Sequence, residues 1–422
     1  MLPPFASFSA APAYKGHRSR LFSWLIFLLP AVALTTHYGV GFIEAAILFS
    51  SLFYAKVLWQ QRAVLFDGTG FIIGAFAFKL AIAVISLAFY GWSARYFDNQ
   101  FRQLLLMPAI GLIVLMQPNP KAFWYGLFAG IFGTLCLAVY QRFWLQMDRA
   151  SGSHLSIMFG DIAIAMGLMS LASAPLFEKT RLALLPYLAF IGGLLISILS
   201  GTRGAWVALP FCFIALYWQK FRVKRREILF LTATGLIIFL VLCFIPELGV
   251  AQRFADIAND IEQFRLGNVN TSIGLRFEMW RGAMILFIEH PLMGVGRANF
   301  NPGLLDLIAR GAIDPALQDF YHAHNELFHV MATEGIVGAF ALLLLYAAPL
   351  WFFIGCIQRR DASQAYAQAG LLLVLSFMCF GLTQVLFAHH IGTAFYAAAI
   401  GFIAGLCVLI RGHRHRAPID VL

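Results

Sequence analysis

Twelve apolar runs dominate this chain, at roughly 21–35, 39–58, 69–91, 104–117, 122–141, 154–176, 182–200, 205–219, 227–246, 326–356, 363–385 and 391–410. Most approach the ~20 residues an α-helix needs to cross a hydrocarbon core. Of all residues, 61% are hydrophobic and only 12% charged, against about 25% charged in a soluble domain. That balance excludes a water-soluble globular fold. In lipid, backbone polar groups must be satisfied within the structure, which leaves helices and closed barrels. The in-and-out alternation of barrel strands is missing, so the expected fold is an all-α polytopic membrane protein of about 12 transmembrane helices with one large helical loop.

The formal net charge of +10 takes its meaning from its distribution. Eighteen Lys and Arg fall on one side of the spans, in the N-terminal segment, alternate connections and the C-terminal tail, whereas the short connections of the other side hold only Arg95, Arg102, Arg142, Arg149 and Arg203. The positive-inside rule then puts both termini in the cytoplasm, and no nucleic-acid partner is needed to explain the charge. Lys15, Arg18 and Arg20 precede the first apolar run without a cleavage site, as for a retained first span. All six cysteines sit inside apolar runs with no CxxC pair, and read as packing residues. The chain divides into 1–245 with spans one to nine, a non-cytoplasmic loop at 246–325, and 326–422 with spans ten to twelve and a short tail.

A loop of this length usually carries its own helices and function. Amphipathic stretches are expected at 251–264 and 273–289, the second stopped by His290-Pro291, followed by the Gly-rich turn PLMGVGRANF and then YHAHNE. No internal repeat stands out, which argues against a transporter built from inverted repeats.

Every cation on the loop side is arginine, adding Arg253, Arg265, Arg276, Arg281, Arg297 and Arg310 to the five above. The guanidinium fork suits phosphate oxygens; the plainer alternative is pairing with Asp98, Asp148, Asp256 and Glu278. Arg203, in SILSGTRGAWVALP, has Gly201 and Gly204 leaving backbone accessible beside it, and either faces a lipid headgroup or snorkels. Arg276 shares a helix face with Trp280, Ala283 and Phe287. It is either a ligand on an apolar face or an interfacial arginine pointing to water, and Arg281 is expected to be solvated.

The densest cluster is YHAHNELFHVMATEGIVG at 321–338. Asn325 fits an N-cap, so His324 lies at a helix N-terminus, where the dipole favours a neutral imidazole able to act as a general base. A structural cap is the alternative. Gly335 follows by eleven residues, about three turns along the same face, with Gly338 beyond it; substrate clearance and close helix packing both account for these glycines. Glu334 enters the bilayer and requires a partner. His322 and His329 are weaker candidates than His324, and His389 and His390 weaker again. The histidine spacing matches no helical zinc motif, and there is no nucleotide-binding glycine signature, so neither metal nor cofactor is expected.

Three segments, SGTRGAW (200–206), LRFEMWRGAMILFIEHPLMGVGRANF (275–300) and HNELFHVMATEGIVG (324–338), carry a resemblance. In order, and on this hydropathy profile, the chain resembles the O-antigen ligase and polymerase superfamily of bacterial envelope glycosyltransferases. The resemblance implies a GT-C-like architecture and metal-independent transfer at the periplasmic face of the bacterial inner membrane. The donor would be a glycan on undecaprenyl diphosphate and the acceptor a sugar hydroxyl of lipid A-core, in lipopolysaccharide biosynthesis. It implies His324 as general base, with Arg203 and Arg276 on the diphosphate. Arg142 and Arg265 would be auxiliary contacts and Tyr321 and Asn325 would orient His324, with His322, Trp280, Glu334, Gly335 and Gly338 completing the substrate site. A single dominant loop favours the ligase over the polymerase, and a tail ending soon after the last span disfavours a protein O-oligosaccharyltransferase. A transporter of a lipid-linked anionic solute, using Glu44, Lys79, Asp161 and Glu334, is the alternative from another class.

Overall fold

The computed structural model describes residues 16–221 and 250–414, and no strand occurs among them. The apolar run at 227–246, the basic residues at 222–226, Lys15 and Arg416 lie outside the described residues. The helices are α1 (His17–Val32), α2 (Gly39–Phe53), α3 (Ala55–Gln60), α4 (Arg62–Tyr90), α5 (Ala94–Leu105), α6 (Ala109–Met116), α7 (Lys121–Val139), α8 (Ser156–Ala172), α9 (Ala174–Phe177), α10 (Leu185–Leu199) and α11 (Ala208–Phe221). After the undescribed segment come α12 (Val250–Arg265), α13 (Ser272–Glu289), α14 (Phe300–Ala309), α15 (Glu326–Gln358), α16 (Gln364–Phe380) and α17 (His390–Arg414). Among the described residues, five stretches are long and apolar enough to cross a membrane: Gly68–Tyr90, Ala94–Met116, Lys121–Trp144, Glu326–Gln358 and His390–Gly412. Gly39–Phe53, Ser156–Ala172, Leu185–Leu199, Gly204–Tyr217 and Gln364–Phe380 are shorter apolar helices. The protein is a membrane-embedded helical bundle.

At its centre lie α6, α8, α16 and α17, whose side chains are buried almost all round. A helix apolar on every face belongs in such a position. A second apolar cluster joins α13 and α14 through Met279, Ala283, Leu286, Phe300, Leu304 and Leu307, and takes in Ala323 and Ala332 from the two ends of the 321–338 motif. Both loop helices fall within a residue or so of the expected stretches, and α13 ends at His290 ahead of the proline.

Two elements depart from expectation. Residues 94–103, read as a polar connection, form most of α5, and that helix is inside-out: Asn99, Gln100 and Gln103 are buried while Phe101 and neighbouring Trp92 are exposed. Turning its amides inward and Phe101 outward reverses the soluble pattern and disguises the helix as a loop. The second departure is in α15, expected to run straight from Asn325 through Gly338. It breaks at Gly335, where φ is 65° and ψ −159°, a combination open in practice only to glycine.

The break is stitched from outside. The carbonyls of Ala332 and Thr333 lose their i+4 partners, and accept instead from the N–H groups of Val295 (2.9 Å) and Gly296 (2.9 Å). The freed N–H groups of Ile336 and Val337 turn to the carbonyls of Pro291 (2.8 Å) and Leu292 (3.5 Å). All four backbone groups are thus satisfied by PLMGVG, as burial demands. Gly335 therefore does not continue the His324 face; its missing side chain makes room for the backbone of Leu292 and Met293. Gly335→Ala should cost at least about 1–3 kcal/mol from the backbone conformation alone, with the clash added, and should lower the detergent-solubilised protein's thermal midpoint well below wild type.

Candidate active site

The residues around His324 are clamped on both sides. Trp280 of α13 donates its indole N–H to the carbonyl of Ala323 at 3.0 Å, with its ring 5.5 Å from Phe328. Asn325 caps α15 as expected, its Oδ1 accepting from the Phe328 N–H at 3.1 Å, while its amide donates to the Leu382 carbonyl at 3.1 Å. The Glu326 N–H donates to the Gly381 carbonyl at 2.7 Å. Between these anchors His324 is held at φ 47°, a left-handed conformation that an L-residue adopts at a cost of roughly 1–2 kcal/mol. Such strain survives only where surrounding bonds over-determine it.

The His322 ring lies 4.2 Å from that of His324 and 6.1 Å from that of His389, centroid to centroid. Nδ1 of His322, Nδ1 of His324 and Nε2 of His389 are buried with no hydrogen-bond partner among the described residues. Burial, then the charge of His322 and that of Arg276, pull the His324 imidazole down to about 4, while Gln384 at its side opposes the shift. The direction is the one expected, with desolvation as its largest cause. Burial alone lowers Arg276, which makes no ion pair among the described residues. A neutral imidazole beside a half-buried guanidinium can accept a proton while the cation holds an anion.

Beneath this cluster is a buried ionic quartet. Lys79 of α4 pairs with Glu334. Arg297, in the turn after PLMGVG, donates to Glu334 at 3.0 Å, lies 3.8 Å from Glu326, and sits over the Tyr96 ring at 5.1 Å. Glu326 also accepts from the Phe387 N–H at 3.0 Å. Two acids and two bases balance. Glu334 thus finds its required partners, fully buried, and Gly338 packs against its side chain; Glu334, Gly335 and Gly338 build the support of the site and line no open surface of it.

Arg203 sits half-buried in the turn before the short 204–207 helical turn. That turn is fixed by Ser197 donating to the Thr202 carbonyl (2.7 Å) and Trp206 donating to Ser197 (3.2 Å). Its glycines are half-buried: Gly201 carries the Arg149 side chain and Gly204 abuts Thr383. Because Thr383 lies between Leu382 and Gln384, the 203 turn is brought to the segment that holds Asn325 and faces His324. Arg142 donates to the Met147 carbonyl within its own loop. Arg265, at the end of α12, is 75% exposed and 3.9 Å from Glu262, with nothing among the described contacts tying it to the histidines. Tyr321 is 72% exposed. Arg281 is solvent-facing, as expected, and pairs with buried Glu278 at 3.3 Å. Gln384 joins the site with no signal in the sequence, and His389, expected only as a weak candidate, joins it too; both lie some sixty residues from His324 and only the packing of α16 and α17 returns them.

Comparison with known proteins bears on the same residues. Residues 188–343, which include Arg203, Arg276 and His324, match the family model described as O-antigen ligase. The chain is 26% identical over 345 residues to an uncharacterized protein of Haemophilus influenzae, covering 80% of this chain and 85% of that one. It is also 26% identical over 245 residues to an O-antigen ligase of Escherichia coli, covering 56% of this chain and 53% of that protein. The helical fold and these likenesses support a membrane glycosyltransferase of the ligase or polymerase type. Over these residues the chain is similar to the O-antigen ligase superfamily.

Removing one member of a buried ion network leaves an uncompensated charge, at about 3–5 kcal/mol. Glu334→Gln should destabilise the protein on that scale, and adding Lys79→Met should recover a large part, because Arg297 and Glu326 then balance alone. A double-mutant cycle on thermal unfolding in detergent reads the coupling.

Proposed function

We propose that this protein is an O-antigen ligase, transferring a glycan from undecaprenyl diphosphate to a sugar hydroxyl of lipid A-core. It works at the periplasmic face of the bacterial inner membrane, in a twelve-span GT-C-like bundle with both termini in the cytoplasm. The observation that carries the reading is the meeting of His324 and Arg276: α13 and the start of α15 are pinned together through Trp280 and Ala323, which sets an uncharged imidazole beside a cation without an acidic partner among the described residues.

In the reaction the acceptor oxygen attacks the anomeric carbon of the donor sugar. His324 takes the hydroxyl proton as the new C–O bond forms. The bond from the anomeric carbon to the diphosphate oxygen breaks, and its electron pair leaves with the diphosphate, whose charge Arg276 and Arg203 stabilise. Fixed cations in a site of low dielectric suit that task. Tyr321 and His322 border the acceptor, Asn325 and Trp280 hold the backbone of the base, and Arg142 and Arg265 are auxiliary glycan contacts. The reaction needs no metal or other cofactor.

A base near 4 is weak at neutral pH, but an arriving diphosphate offsets the charge of Arg276 and raises His324 towards the working range. Because the base must be unprotonated, kcat/KM, which reports the free enzyme, should stay level as pH falls through 6 and drop about tenfold per unit below about 4. The acidic limb of kcat, which reports the loaded enzyme, should lie at higher pH. Coincident limbs near 6.5 would refute this.

The deciding assay gives reconstituted protein a lipid-linked glycan and lipid A-core. A mobility shift of the acceptor supports the ligase, longer carrier-linked chains would replace it with a polymerase, and movement of glycan without a new bond would overturn glycosyl transfer. His324→Ala and Arg276→Ala should each reduce transfer by about 100-fold or more while remaining folded and membrane-inserted.

A further inference from the structure

The three clustered imidazoles are approached by cations from two directions. Arg276 is among the charges that reach His324, whereas the charge of Arg95 reaches His322 and His389. His322 stands between the other two rings, which orders the row as Arg276, His324, His322, His389 and Arg95. Packing supports the far end: Asn99, one turn after Arg95 on α5, donates to the Ala388 carbonyl at 3.4 Å, so the start of α5 lies against the segment bearing His389.

Among the described residues, the groups with the largest effect on the three rings include no carboxylate. The nearby acids are engaged elsewhere. Glu44 accepts from Arg102 (2.7 Å) and faces His390 (3.3 Å), and Asp98 accepts from Arg102 (2.7 Å). Glu326 belongs to the quartet with Arg297. Arg95 makes no ion pair among the described residues. Buried ring nitrogens without partners among the described residues, set between two arginines while the neighbouring acids pair elsewhere, form a site whose charge and hydrogen bonding are incomplete until an anion enters.

We propose that Arg95, His322 and His389 form a second oxyanion subsite beside His324, which binds a phosphate group of the donor diphosphate or of a phosphorylated acceptor. This rests on the glycosyl-transfer reading for its substrates, but not for its binding chemistry. Arg276 takes the oxyanion at the near end of the row and Arg95 the one at the far end, with the reacting hydroxyl between them at His324.

The test uses inorganic pyrophosphate binding to the purified full-length protein, alongside transfer kinetics. Arg95→Ala and His389→Gln should each weaken pyrophosphate about tenfold, the loss of one charge-assisted contact. Arg95→Lys should fall between, and Arg310→Ala, whose guanidinium pairs with Glu289 away from the row, should match wild type. In turnover, Arg95→Ala should raise one KM with little change in kcat. A raised donor KM identifies the diphosphate as the ligand; a raised acceptor KM that vanishes with phosphatase-treated acceptor identifies the acceptor phosphate. Wild-type protein that does not bind pyrophosphate, Arg95→Ala with unaltered affinity, or Arg95→Ala with both KM values unaltered overturns the proposal. Arg95-dependent pyrophosphate binding by a wild-type protein that transfers no glycan would unseat the transferase reading and leave the subsite standing.

Discussion

The buried quartet of Lys79, Glu334, Arg297 and Glu326 is the constraint on which the rest depends. It ties α4, the turn after α13 and two successive parts of α15 into one electrostatic unit. The break at Gly335 lets the loop segment reach into the bundle, and the backbone exchange with PLMGVG places Arg297 between the two glutamates. Such networks are weak sources of net stability compared with apolar packing, because desolvation opposes the attraction. Their strength is selectivity: very few arrangements leave no charge stranded.

Selectivity of this kind sets the residues of the candidate site. With Glu326 held by Arg297 and the Phe387 N–H, the first turn of α15 has a fixed position, and Asn325 and Trp280 then fix the chain on either side of His324. The left-handed backbone of His324 is a product of those anchors. Burial and adjacent cations keep the ring uncharged, so the same scaffold decides both where the His324 ring stands and how readily it accepts a proton.

Much of this was legible in the sequence. The apolar runs gave the helical membrane class, the N-cap pattern placed Asn325, and the cost of a carboxylate in the bilayer required the partners that Glu334 has. What escaped had physical causes. Helix α5 hides because its buried face is polar, which inverts the usual periodicity. The break in α15 hides because glycine fits a helix, a packing contact and a left-handed kink alike, and only the loop's carbonyls and amides reveal which applies. Gln384, His389 and Arg95 are distant in sequence from His324, and no spacing rule connects them; α5, α16 and α17 must fold together before they meet.

The separation of Lys79 from Glu334 by 255 residues also bears on biogenesis. Helix α4 enters the membrane long before the ribosome has made α15, so its lysine begins unpaired. A lysine at the centre of an inserting helix costs roughly 2.5–3.5 kcal/mol, which the otherwise apolar stretch Gly68–Tyr90 can absorb. The finished ion pair is then a late event, closed when α15 and its loop dock onto helices already in place. Until that moment a half-made protein carries an unmatched charge, by which a chain that has not completed assembly differs from one that has.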